Sequence, residues 1–298
     1  MHSFEYQKVY TLQEAFDRAL DFRGGSVFMA GGTDLLVQMK EGKVRPRCII
    51  DLKEVHEMDG LNASEGDYFS IGALTRMRTL EASPSVREKV PLLAQAASKL
   101  GSVQVRHRAT IGGNLCNASP SAEAAPSLLA LDAQGSICGK AGTRMVDMND
   151  FFLGPGRTVL GEGEVLARLE IPLTRKPQGS VYYKLSTRKA MDLALVGVAV
   201  LVEIDEEDRV CKARIALGAV APTPIRVPLA EKELEGAALS LKAVREASTL
   251  AAQYCQPISD HRASAAYRRE MVGGLCQQAL LSAYAQAKDK RFGEGEKK

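Results

Sequence analysis

Residues 30–36, Ala-Gly-Gly-Thr-Asp-Leu-Leu, and residues 110–114, Thr-Ile-Gly-Gly-Asn, decide how this chain is read. Each places a glycine pair after an apolar or β-prone run and before a polar residue able to cap a helix. Successive backbone N–H groups in a tight turn can cradle a pyrophosphate, and glycine permits both the unusual dihedrals and the close approach that a Cβ would block. A helix beginning at Thr33 would add its positive N-terminal end. Taken singly, each pair also fits an ordinary tight turn; two matched pairs strengthen the ligand reading. The common dinucleotide fingerprint is missing, because Gly154-Pro155-Gly156-Arg157-Thr158-Val159 begins like GxGxxG but lacks the third glycine. GxxxxGK[ST] and GxSxG do not occur either, so neither P-loop hydrolysis nor a nucleophile elbow is supported.

Working outward from the first pair, Thr11 and Glu14 have capping-box spacing ahead of Leu12, Ala15, Phe16, Ala19 and Leu20 on one helical face. An apolar run at Val27 to Ala30, an amphipathic piece at Leu35, Leu36 and Met39, and the apolar Cys48 to Leu52 complete an αβαβ unit over residues 1–55. A second unit, residues 56–176, holds the second glycine pair between a helix at Leu92 to Leu100 and another through Leu128 to Leu131. Its strands are predicted at Tyr68 to Ala73 and Val165 to Ile171. The turn chemistry of Lys176 to Gly179 opens a third unit, 177–288, with strands at Val181 to Leu185, Leu193 to Val202 and Cys211 to Ala219, followed by helices from Leu229. Strands followed by helices give an α+β class. Residues 289–298 read as a frayed, solvated tail.

Composition excludes several roles. With 45% apolar and 25% charged residues in 298, the chain has material for more than one core. Its 39 basic residues against 36 acidic ones form no basic stripe, which argues against a nucleic-acid partner. The most apolar stretch, Leu193 to Val202, is about half the roughly 20 residues a membrane span needs. The start MHSFEYQKVYT lacks a secretory pattern, so the cytoplasm and reduced thiols are expected. Cys48, Cys116, Cys138, Cys211, Cys255 and Cys276 have no paired spacing, and His2, His56, His107 and His261 form no i, i+4 pair, so no metal is expected in this chain.

Several further segments accompany the glycine pairs in order: residues 104–123 (QVRHRATIGGNLCNASPSAE), GPGRTVL at 154–160, YYKLSTRKAMDLALVGVAV at 182–200, GAVAPTPIR at 218–226 and SAAYRREM at 264–271. On these the chain resembles the FAD-binding medium subunit of molybdenum hydroxylases, and within that family the 186–192 run and APTPIR look most like the xanthine dehydrogenase type. The resemblance implies a two-part FAD-binding domain of the vanillyl-alcohol oxidase type followed by a C-terminal α+β domain. It implies that FAD here takes electrons from [2Fe-2S] clusters on a small subunit, with molybdopterin on a large subunit, and passes them to NAD or another acceptor. It assigns Val27, Phe28, Met29, Ala30, Gly31, Gly32, Thr33, Asp34 and Leu35 to the first FAD loop, with Gly31, Gly32 and Thr33 facing the pyrophosphate. Thr110, Gly113 and Asn114 fall in the second loop, Leu100, Gly101 and Leu166 at further contacts, Glu123 where relatives carry aspartate, and Lys184 beside the isoalloxazine. Ser186 to Asp192, with Arg188 and Lys189, then reads as a gate on the acceptor side. Some members of the family carry a cysteine-rich insert for an additional cluster, and the six scattered cysteines here form no such insert. A carbon monoxide, aldehyde or aromatic hydroxylase subunit, or an assembly subunit that has lost FAD, stands as the alternative.

Overall fold

A computed structural model describes residues 2–62 and 66–295. The first unit is β1 (Glu5–Lys8), α1 (Leu12–Asp21), β2 (Ser26–Met29), α2 (Leu35–Lys40) and β3 (Cys48–Asp51), its strands forming a parallel sheet in the order β1-β3-β2. Thr11 caps α1 by accepting the Glu14 N–H at 3.1 Å, while Glu14 reaches back to the Tyr10 N–H at 2.7 Å. The strand β1 was not expected: as an edge strand with its side chains mostly in solvent it has no apolar alternation, and its ladder to β3 alone defines it. Nor does a helix start at Thr33; α2 begins at Leu35, and Asp34 at its N-cap makes no side-chain cap bond.

The second unit opens with β4 (Leu61–Asn62) and β5 (Tyr68–Gly72). The helices α3 (Met77–Ala82), α4 (Pro84–Lys89), α5 (Pro91–Ser98), α6 (Val103–Arg106), α7 (Ile111–Cys116) and α8 (Ala124–Ala130) follow. It closes with β6 (Gln134–Gly139), β7 (Gly142–Asp147), the small hairpin β8 (Phe152–Gly154) and β9 (Arg157–Thr158), and β10 (Val165–Pro172). Its antiparallel sheet runs β4-β5-β10-β6-β7, with an irregularity in the β10 ladder between Leu166 and Arg168. The second glycine pair is not a tight turn: Thr110 is the N-cap of α7, accepting the Gly113 N–H at 3.1 Å, and both glycines lie in the first helical turn. Close packing explains this, since a Cβ on Gly112 would stand 2.7 Å from the Ala73 Cβ and 2.8 Å from its carbonyl oxygen.

The C-terminal unit is an antiparallel sheet of β11 (Gln178–Leu185), β12 (Val196–Ile204), β13 (Val210–Gly218) and β14 (Ile225–Arg226), followed by α9 (Pro228–Lys232), α10 (Leu241–Tyr254) and α11 (Ala265–Gly295). Every residue of β12 is buried, because the sheet is covered on both faces. Val196, Val198, Val200 and Val202 join the core under α10 and α11, whereas Ala199 and Leu201 join that of the preceding domain, whose α5 and α8 pack against this sheet. Two-sided burial is why the sequence here is a continuous apolar run and not an alternation. Gln95 on α5 completes the outer edge of β11, donating to the Ser180 carbonyl at 3.1 Å and accepting the Tyr182 N–H at 2.9 Å. The helix α11 also continues past residue 289, where a tail was expected. Lys288 and Arg291 pair with Asp208 at 3.2 and 3.1 Å, and Arg291 donates to the Glu206 carbonyl, which ties the helix to the β12–β13 turn. Residues 296–298 of that expected tail lie outside the described residues.

Candidate functional site

A cleft of about 590 Å³, within the usual range for ligand sites, lies between the two glycine segments. The turn after β2 supplies one side. There Gly31 sits so close to the second segment that a Cβ on it would meet the Arg108 carbonyl oxygen at 2.1 Å and the Ala109 Cα at 3.1 Å. Gly32 has φ +75°, in the left-handed region. This turn leaves the backbone N–H groups of Gly31 through Leu35 without a hydrogen-bond acceptor among the described residues. Five adjacent donors in a turn are the geometry that receives phosphate oxygens.

Gln38 on α2 donates to Asn117 Oδ1 at 3.0 Å, and Asn114 Oδ1 accepts the Ala124 N–H at 3.3 Å, so α2, α7 and α8 hold the two sides in register. Leu100 and Gly101 line the cleft after α5, Gly101 at φ +46°, and Leu166 lines it from the irregular point of β10. The last wall comes from the C-terminal domain: Met191, Asp192 and Leu193. Their loop is folded on itself, with Asp192 Oδ2 accepting from the Thr187 hydroxyl at 2.6 Å and the Arg188 N–H at 2.8 Å. The Thr187 hydrogen bond, helped by Arg188, holds the Asp192 carboxyl down at about 2.

Two cleft carboxyls are shifted the other way. Desolvation raises Asp34 above its ordinary value, against a hydrogen bond from Thr33. Burial likewise pushes Glu123 up, opposed by the charge and hydrogen bond of Lys184, whose Nζ lies 2.8 Å from Glu123 Oε1. The structure thus gathers Val27 to Leu35, Leu100, Gly101, Thr110, Gly113, Asn114, Glu123 and Leu166 around one cleft. Lys184 is not on its lining; it stands behind Glu123. Sequence reasoning passed over Asn117, Ser119 and Ser121, although their every-second-residue spacing inside the 104–123 segment was a visible signal. It also gave no cleft role to Cys116, an apolar-looking helical position.

Residues 2–174 match the family described as FAD binding domain in molybdopterin dehydrogenase, and residues 181–283 match the CO dehydrogenase flavoprotein C-terminal domain. The chain belongs to the molybdopterin dehydrogenase flavoproteins. It is an FAD-binding electron-transfer subunit of a multisubunit enzyme of the molybdenum hydroxylase type. This flavoprotein is 35% identical over 282 residues to the carbon monoxide dehydrogenase medium chain of Hydrogenophaga pseudoflava, covering 95% of this chain and 97% of that one. It is 32% identical over 283 residues to a xanthine dehydrogenase FAD-binding subunit of Escherichia coli O157:H7, covering 95% and 96%. Its fold superposes on a carbon monoxide dehydrogenase structure from Hydrogenophaga pseudoflava with a TM-score of 0.92 at 34% identity, covering 96% of this chain and 98% of that one. The two-part FAD-binding fold with a C-terminal α+β domain is therefore that of the family. Among the described residues, the flavoprotein has no helix long and apolar enough to cross a membrane.

Proposed function

We propose that the cleft binds FAD by its pyrophosphate and that the subunit relays electrons from an iron–sulfur small subunit, reduced by a molybdenum-binding large subunit, to NAD or another acceptor. The observation that carries this reading is the row of free N–H groups at Gly31 to Leu35, set against the segment capped by Thr110. These residues fit the cofactor: a Cβ on Gly113 would meet little beyond Thr110 Oγ1 at 3.0 Å, so its Cα side is open for a close approach. When bound, FAD supplies the conversion of single-electron input into two-electron output. The chain's own residues bind and orient it. The 31–35 N–H groups take phosphate oxygens, Asn114 and the Thr110 cap hold the first turn of α7, and Leu100, Leu166 and Leu193 exclude water from the apolar part of the cleft. No general base is needed for this role.

For the holoenzyme we propose a xanthine or purine dehydrogenase type, supported by the 186–192 run and by APTPIR at 221–226. The carbon monoxide dehydrogenase type is the second reading, favoured by the 35% identity to that medium chain. The co-purifying large subunit and the substrate it oxidises decide between them. A cytoplasmic location is part of the proposal and is supported by six cysteines that are all free. The cofactor reading is tested by titrating the flavin-free chain with FAD and with FMN. FAD should bind one to one and be released by acid precipitation, with FMN at least about a hundredfold weaker for want of the second phosphate and its hydrogen bonds. Equal affinity for the two, or flavin retained in the acid pellet, would overturn it.

A further inference from the structure

We propose that Lys184 is a positioning residue that latches the C-terminal domain's wall of the cleft onto the FAD-binding domain, with no donor left over for the cofactor itself. The inference rests on the reading of the cleft as the FAD site. An ammonium has three N–H donors. Lys184 commits three: to Glu123 Oε1 at 2.8 Å, to the Lys99 carbonyl at 3.0 Å and to the Asp192 carbonyl at 2.7 Å. The first two acceptors belong to the FAD-binding domain, at the start of α8 and the end of α5, and the third lies in the wall loop of the C-terminal domain. The side chains of Lys184 and Glu123 are only 6% and 8% exposed, so neither charge has water as a substitute partner. The Lys99 carbonyl at the C-terminal end of α5 adds a partial negative charge suited to an ammonium.

The latch has a companion bond. The Met191 N–H donates to the Gly101 carbonyl at 3.2 Å, again from wall loop to FAD-binding domain, with Met191 held at φ +53° and Gly101 at φ +46°. The other side-chain bonds that order the loop stay within residues 186–192: the two bonds to Asp192 Oδ2, the Arg188 guanidinium on the Met191 carbonyl at 2.7 Å and beside Asp192 Oδ1 at 3.7 Å, and the Ser186 hydroxyl on the Arg188 carbonyl at 2.8 Å. A loop closed on itself moves as one body, so whether Met191 to Leu193 face the cofactor is decided at its fastening points on the neighbouring domain. Lys184 is the charged one.

The test is amide hydrogen exchange in the full chain, with and without FAD, comparing wild type with Lys184→Met. The Met191 amide reports the seam directly. Its exchange should speed up by about tenfold or more in the variant, together with the neighbouring 186–193 amides, while the β12 amides at Val198 to Val202 keep their protection. FAD should dissociate faster by a comparable factor. If Lys184→Met does not fold, Lys184→Gln is read by the same criteria. Unchanged Met191 exchange, or acceleration spread equally over β12, would overturn the latch. The measurement on the flavin-free chain stands even if wild type proves unable to bind FAD, so failure of the cofactor reading and failure of the latch are separate results.

Discussion

Replacing Gly31 by alanine adds one methyl group, and the structure places it inside the contact between the two glycine segments. The new Cβ would lie 2.1 Å from the Arg108 carbonyl oxygen and 2.8 Å from the Arg108 carbonyl carbon, both backbone atoms. The segments must part by about 1 Å before the contact becomes tolerable, an overpacking strain of about 1–3 kcal/mol. Moving the 31–35 turn by that distance stretches hydrogen bonds of about 2.9 Å beyond useful length. Losing two bonds to a charged phosphate, each worth about 1.5–3 kcal/mol, weakens FAD binding by more than about a hundredfold. Gly32→Ala is the control. Its φ of +75° costs an alanine about 1–2 kcal/mol. Its Cβ meets the movable side chains of Met29 and Leu36 at 3.3 and 3.4 Å, so the turn keeps its place. Flavin content per chain and thermal unfolding are measured on both variants. Gly31→Ala should be folded, several degrees less stable and nearly free of FAD, with Gly32→Ala intermediate; wild-type flavin content in Gly31→Ala would refute the idea that contact between the segments sets the cradle.

The second glycine pair should divide in the same way. Gly112→Ala collides with Ala73 and should lower the melting temperature, whereas Gly113→Val projects toward the open side and should remove FAD with little loss of stability. Flavin content and melting temperature that changed together in both would refute this division. At the domain seam, Asp132 pairs with Lys212, Arg214 and Arg226 at 2.8, 3.1 and 2.8 Å. Burial pushes its carboxyl up, but the Lys212 hydrogen bond and the three cations outweigh that and hold it below its ordinary value. Its contribution is therefore present above about pH 4 and lost as pH falls through the lowered folded-state value. Asp132→Asn should cost roughly 1.5–3 kcal/mol at neutral pH and flatten the acid limb of stability against pH, which urea unfolding from pH 3 to 7 checks.

How far the sequence carried depends on the range over which each feature is decided. The helix at Leu12–Asp21 was legible because its cap, Thr11, and its apolar face lie within ten residues of one another. The central strand of the C-terminal domain was legible because burial on both faces demands apolar residues at successive positions, and β12 obeys from Val196 to Val202. Edge strand β1 carries no such demand and left no mark. Glycine pairs are harder, because a glycine records that a Cβ is forbidden without recording what forbids it. At Gly32 the dihedral forbids it; at Gly31 the backbone of Arg108 does; at Gly112, inside a helix, Ala73 does. Two of these three reasons are contacts between segments tens of residues apart. Lys184 is the extreme case. Its spacing and strand-end position say only that a cation stands there, and its acceptors on Lys99 and Glu123 lie 85 and 61 positions away. A residue whose donors are all taken at a domain seam looks, in sequence, the same as one that offers a donor to a cofactor, so only the count of its partners separates a latch from a ligand.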